Sequence, residues 1–167
     1  MRCFIAAWPD APTRLALASL SDQLRQRIEH RRATRADDLH LTLAFIGELS
    51  NDVAFDLADA IATLRFEPFT LKLDTLGFFE EARVVWSGAT DQTTKPLATL
   101  ADRVRARLDQ ISVAYDRRPL APHITLLRGV KNFTAEKLAP ILWRIDSIAL
   151  YRSAPAQHAS RYARVER

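Results

Sequence analysis

The strongest constraint on this chain is a segment written twice. His40-Leu41-Thr42-Leu43-Ala44-Phe45-Ile46-Gly47 and His123-Ile124-Thr125-Leu126-Leu127-Arg128-Gly129 both read His-apolar-Thr-Leu and close on glycine. Each follows a long amphipathic stretch. Basic residues precede each copy: Arg31, Arg32 and Arg35 before the first, Arg117 and Arg118 before the second. Alternation along a strand sends His40 and Thr42 to one face and Leu41 and Leu43 to the other, and treats His123 and Thr125 in the same way. The leucines can then face helices while imidazole and hydroxyl face a groove. Two similar lobes related by an approximate two-fold are the economical explanation, and they bring both His-Thr pairs to one cleft.

Helical periodicity supplies the rest of the frame. Asp10 and Pro12 are start signals for a helix carrying Leu17, Leu20, Leu24 and Ile28 on one side. A second opens near Ser50-Asn51-Asp52 with Val53, Leu57, Ile61 and Leu64 inward, and a third near Thr93-Thr94 with Leu97, Leu100, Val104, Leu108 and Ile111 inward. Strand-like runs cover 4–8, 39–46, 69–79, 84–86, 124–129 and 143–151, with a last short one near 162–165. The four glycines Gly47, Gly77, Gly88 and Gly129 read as punctuation after strands. This order predicts an α+β fold with antiparallel sheets. At 167 residues the chain is expected to form a single bilobal domain over 1–167, two pseudo-symmetric lobes lining a central groove, with helices on the outer faces.

Composition removes several classes of function. One cysteine, Cys3, excludes an internal disulfide and any Cys-x-x-Cys site. Scarce glycine excludes a glycine-rich phosphate loop. No apolar run reaches the ~18 residues of a membrane span, and the first ten residues make a poor signal peptide, so a cytoplasmic protein is expected. The net charge of +4 leans mildly toward polyanion partners.

Two imidazoles flanking one phosphorus atom suit in-line phosphoester cleavage. One, neutral, takes a proton from the attacking oxygen; the other, as imidazolium, protonates the leaving oxygen. Threonine hydroxyls can donate to the non-bridging oxygens. The scheme calls for no metal and no cofactor.

These residues resemble the two-histidine phosphoesterase superfamily, and within it the RNA 2′,3′-cyclic phosphodiesterases, also called 2′-5′ RNA ligases. The resemblance spans nearly the whole chain, including Arg2-Cys3-Phe4-Ile5-Ala6 with Trp8-Pro9, Phe69-Thr70-Leu71, Trp86 and Trp143. It implies catalysis by His40 and His123, phosphate binding by Thr42, Thr125 and Arg128, and opening of a 2′,3′-cyclic phosphate to a 2′-phosphate with weak 2′-5′ ligation alongside. It implies His40 as the acid at the 3′ oxygen and His123 as the base toward water. The partners implied are RNA ends carrying the cyclic phosphate, or nucleotides, met by a monomer away from membranes. Alternatives are a small cyclic nucleotide or an ADP-ribose cyclic phosphate as substrate, or a non-catalytic nucleotide- or RNA-binding module. Two details stand against the pattern. Strand parity puts Arg128 on the face opposite His123 unless a bulge intervenes, and Leu127 replaces a smaller residue and is expected to narrow the groove.

Other side chains read more plainly. His30 is expected at the surface, and His158 in a featureless tail. Trp8, Phe45, Phe78, Phe79 and Trp86 are expected mainly in the core. Trp8 and Phe78 are the better candidates to stack on a base, and the arginines before the two motifs are candidates for a phosphate track.

Overall fold

The structure, a computed structural model, describes residues 1–90, 94–154 and 160–167. In chain order it has β1 (Arg2–Ala7), α1 (Ala11–Arg27), β2 (Arg32–Ala33), a 3-10 turn (Ala36–Asp38), β3 (Leu41–Glu48), α2 (Asn51–Ala62), β4 (Phe69–Phe79), β5 (Val84–Gly88), α3 (Thr94–Gln110), β6 (Ile124–Arg128), β7 (Glu136–Ile145), β8 (Ala149–Ser153) and β9 (Tyr162–Arg164).

The helices begin where local chemistry starts them. The Asp10 carboxylate accepts the Thr13 N–H at 2.9 Å, satisfying one open donor of the first turn of α1, and Pro12 fits that turn because its missing N–H is not needed there. Ser50 caps α2 through the Val53 N–H. Leu17 and Leu24 of α1, Leu57 and Ile61 of α2, and Leu97, Leu100, Val104 and Leu108 of α3 are buried, as their spacing predicts. Val53 and Ile111 are exposed instead. They lie in the first turn of α2 and just past the end of α3, outside the stripe that packs. No described helix is long and apolar enough to cross a membrane.

All neighbouring strands run antiparallel, in the order β7-β4-β5-β6-β3-β1-β8-β9, with β2 paired to β6 off this path. The sheet consists of two four-stranded halves, β6-β5-β4-β7 and β3-β1-β8-β9, meeting at one residue pair, Leu41 opposite Ile124. The two motif strands therefore lie side by side at the centre. The halves are also laced. Arg31 and Thr34 donate backbone N–H groups to Arg128 and Leu126 of β6, and Asp116 donates its own to Phe45 of β3.

Each motif strand carries a bulge at the same place. Along β3, Ala44 pairs with Ile5 and Thr42 with Ala6, leaving Leu43 as the extra residue. Along β6, Leu127 pairs with Val85 and Thr125 with Trp86, leaving Leu126 as the extra residue. A bulge shifts the two-residue alternation by one. Leu43 and Ala44 are therefore both buried, as are Leu126 and Leu127, and Phe45 and Arg128 come round to the side of the threonines. Leu127, fully buried, takes no part in narrowing the groove.

The expected strand 143–151 is two strands. The chain leaves β7 after Ile145 and enters β8 at Ala149, turning through the polar pair Asp146-Ser147. Gly77 and Gly88 do more than punctuate. A Cβ on Gly77 would come within 2.1 Å of the Trp86 ring, and one on Gly88 within 2.8 Å, so the two glycines form the seat of that indole.

Candidate active site

Between the two halves runs a groove of about 1060 Å³. His40, Thr42, His123, Thr125 and Arg128 all line it. Both histidines sit one residue before their strands, at the mouth of β3 and of β6. Each is held in the same way. His40 Nδ1 lies 2.6 Å from the carbonyl of Asp38, and His123 Nδ1 lies 2.7 Å from the carbonyl of Ala121. A carbonyl only accepts, so Nδ1 carries the proton in both rings. The Nε2 atoms are then the ones left for proton transfer, and each neutral ring has its lone pair there. Among the described residues, the hydroxyls of Thr42 and Thr125 have no hydrogen-bond partner within the protein.

The surroundings of the two imidazoles differ. His40 lies in an aromatic cage. Trp8 stacks on it (centroids 4.8 Å apart, planes 12°), Phe4 lies at 5.0 Å, and Tyr162 meets it edge-on at 5.0 Å. His123 meets Phe79 edge to face at 4.8 Å, with Trp86 at 6.5 Å. Burial pushes both imidazoles below the ordinary value of 6.5. For His40 the Asp38 carbonyl and carboxylate pull the other way, against small downward contributions from His123 and Arg128. For His123 only the Ala121 carbonyl does, and Arg128 adds to the depression.

Asp38 was not singled out by any sequence pattern, yet it anchors this end of the groove. Its side chain is 3% exposed and accepts from Ser160 Oγ (2.7 Å), the Arg161 N–H (2.7 Å) and Arg35 Nε (3.0 Å). Burial alone would raise its carboxyl pKa, but the bonds from Ser160, Arg161 and Arg35 more than offset that and hold it below its ordinary range. One residue thus orients His40 through its carbonyl and ties down the segment before β9 through its carboxylate. The only sequence hint was an acid two residues before a motif histidine.

The aromatic assignments need correction. Trp8 stacks on His40 and on Tyr151 (4.2 Å) and does not line the groove. Phe78 packs against Phe133 and the core. Phe45, expected mainly in the core, is 54% exposed in the groove wall because the Leu43 bulge turns it outward. Of the arginines before the motifs, Arg32, Arg35 and Arg118 line the groove, while Arg31 and Arg117 do not. His30 is half-buried and bonded to the Ile28 carbonyl, outside the groove. His158 lies outside the described residues.

This geometry meets a family signature. The profile of the 2′-5′ RNA ligase superfamily matches residues 11–156. The chain belongs to the 2′-5′ RNA ligase superfamily. Among superfamily members, the RNA 2′,3′-cyclic phosphodiesterase of Escherichia coli K12 is 34% identical over 93% of this chain and 96% of its own length. The protein of the same name from Aeropyrum pernix is 32% identical over 71% of this chain and 70% of its own length. The fold agrees. The crystal structure of E. coli LigT complexed with 3′-AMP superposes with a TM-score of 0.79 at 30% identity, covering 99% of this chain and 95% of that one. The superfamily fold is thus the α+β arrangement that the order of helices and strands predicts.

Proposed function

We propose that this chain is an RNA 2′,3′-cyclic phosphodiesterase that opens the cyclic phosphate to a 2′-phosphate, with His40 and His123 as its acid and base. The observation that carries this reading is the matched pair of imidazoles. Each is fixed at Nδ1 by a backbone carbonyl and offers Nε2 to one groove, alongside two unengaged threonine hydroxyls and a guanidinium. Relatives bearing the RNA 2′,3′-cyclic phosphodiesterase name and a neighbour complexed with 3′-AMP support the substrate class.

In this mechanism His123 Nε2 takes a proton from water as the water oxygen bonds to phosphorus. The P–O3′ bond breaks opposite it, and His40 Nε2–H delivers its proton to the departing 3′ oxygen. Thr42, Thr125 and Arg128 hold the charge on the non-bridging oxygens. The assignment of roles follows from the asymmetry described above. Arg128 opposes an imidazolium at both rings, but only His40 has a carboxylate, Asp38, and the flat face of Trp8 to favour one. A 5′-hydroxyl attacking the same phosphorus in place of water, with the P–O3′ bond again breaking and the 3′ oxygen protonated, leaves a 2′-5′ diester and accounts for weak 2′-5′ ligation. The exposed ring of Phe45 is placed to stack on a base. The expected setting is the cytoplasm, with one chain forming the whole groove.

The test is hydrolysis of an RNA with a 2′,3′-cyclic end, in EDTA. His40→Ala and His123→Ala should each lower kcat by about 10²–10⁴ with the circular dichroism spectrum unchanged. Near-full activity in either folded variant refutes the mechanism.

A further inference from the structure

The groove is electrically lopsided about the two histidines. On the side of Phe45, Arg118 is matched by Asp116, whose carboxyl it holds down to about 2 with a side-chain bond and a backbone N–H. Arg35, next to the Thr34 that bonds Leu126 of β6, is matched by Asp38. Beyond that pair, the cations on the side of Arg128 have no such neutralisation among the described residues. Arg32 stands directly opposite Arg128 in the β2–β6 pair, so two guanidiniums project from facing positions of one ladder into the same groove. Like charges in directly opposed positions are unfavourable. Arg161 joins them from the C-terminal segment, its backbone fixed by Asp38 and its side chain on the groove wall. Among the described residues, no carboxylate lies within ion-pair distance of Arg32, Arg128 or Arg161. Burial holds the Arg128 guanidinium below its ordinary value; Tyr162 opposes this, and Arg32 and Arg161 each add a smaller downward contribution.

β2 is two residues long, and its strand pairing is with β6 alone. Arg128 suffices for the phosphorus between the histidines, so two further unpaired cations beside it exceed what one phosphate needs. The groove end that holds them is the one across from the exposed ring of Phe45.

We propose that Arg32 and Arg161, together with Arg128, form a subsite for a second phosphate, the one on the 5-carbon of the ribose that bears the cyclic phosphate. The proposal rests on the cyclic phosphodiesterase reading above. That phosphate exists in two chemistries: as the diester leading to the preceding nucleotide of an RNA, and as the pyrophosphate of an ADP-ribose cyclic phosphate. On an RNA end the subsite orients the substrate, with its phosphates toward β2 and the base of the terminal nucleotide toward Phe45.

The experiment compares kcat/KM at low salt for four substrates: a nucleoside 2′,3′-cyclic phosphate, its 5′-phosphorylated form, a dinucleotide ending in the cyclic phosphate, and ADP-ribose 1″,2″-cyclic phosphate. The 5′-phosphorylated form should exceed the bare nucleoside by about tenfold or more, the effect of one added charge-assisted contact. This ratio should shrink as salt rises. Whichever of the other two substrates gains most identifies the natural source. Arg32→Gln and Arg161→Gln should each reduce the ratio several-fold, and the double variant should bring it near one. Arg117→Gln, outside the groove, should preserve it. A wild-type ratio near one, with the bare nucleoside turned over, overturns the subsite alone, and needs no variant to fold. A ratio unchanged in the folded double variant overturns it too. Absence of turnover on all four substrates removes the underlying reading and the subsite with it.

Discussion

Trp8 lies flat against His40, with ring centroids 4.8 Å apart and planes 12° from parallel. A π face in this position stabilises the charged ring over the neutral one. Replacing Trp8 with leucine keeps bulk and removes that preference. The alkaline limb of the kcat profile should then fall by about 0.4–1.5 pH units, since 1.36 kcal/mol corresponds to one unit and such contacts contribute roughly 0.5–2 kcal/mol. Steady-state rates between pH 5 and 9 measure it, and an unmoved limb would show that the indole only fills space.

The two histidines also set the pH behaviour of the free enzyme. Both lie below 6.5, chiefly through burial. The bell for kcat/KM should therefore peak on the acid side of 6.5, and the bell for kcat at higher pH, because a bound phosphate anion favours imidazolium. Folding stability follows the same sign. Below 6.5 the unfolded chain binds protons that the folded chain does not, so stability declines as pH falls from 6.5 through the depressed folded values. Chemical denaturation at pH 7 and pH 5 should show this decline reduced in His40→Gln.

Asp38 works in the opposite sense. Its folded carboxyl titrates below 3.8, so its contribution is complete above that value and fades as pH falls through the depressed one. Asp38→Ala leaves the Ser160 hydroxyl and the Arg161 N–H without their acceptor and should cost about 2–4 kcal/mol. Asp38→Asn should cost less and lower the alkaline limb of the rate profile. Thermal melts read the first effect, and a pH–rate series the second.

Gly77→Ala tests the seat of Trp86. The added methyl has nowhere to go but into the indole, an overpacking expected to cost about 1–3 kcal/mol. The displaced ring should disturb Phe79 and His123, so kcat should fall as well. A variant with wild-type melting temperature and rate would show that Trp86 relocates freely.

Much of this was readable from periodicity. Leu17 to Leu24 and Leu97 to Leu108 announced buried helix faces, and the two His-x-Thr repeats announced one groove, because these patterns depend only on local geometry. What escaped depended on partners distant in the chain. Asp38 gains its meaning from Ser160 and Arg161, more than a hundred residues away. β2 is too short to have a period and exists through its pairing with β6. Trp8 and Phe45 exchanged expectations because nothing local says that His40 covers the first ring or that a bulge at Leu43 turns out the second. The polar pair Asp146-Ser147 could have divided the last long strand into β7 and β8.

The lacing of the two half-sheets has a consequence for how the protein comes into being. β4 through β7 are contiguous in the chain, whereas β1, β3, β8 and β9 are gathered from both ends around them. Each central strand has its free edge sealed by a stretch borrowed from the other half. Neither half on its own would present a finished edge, so the groove is a property that emerges only when the two halves have closed on each other.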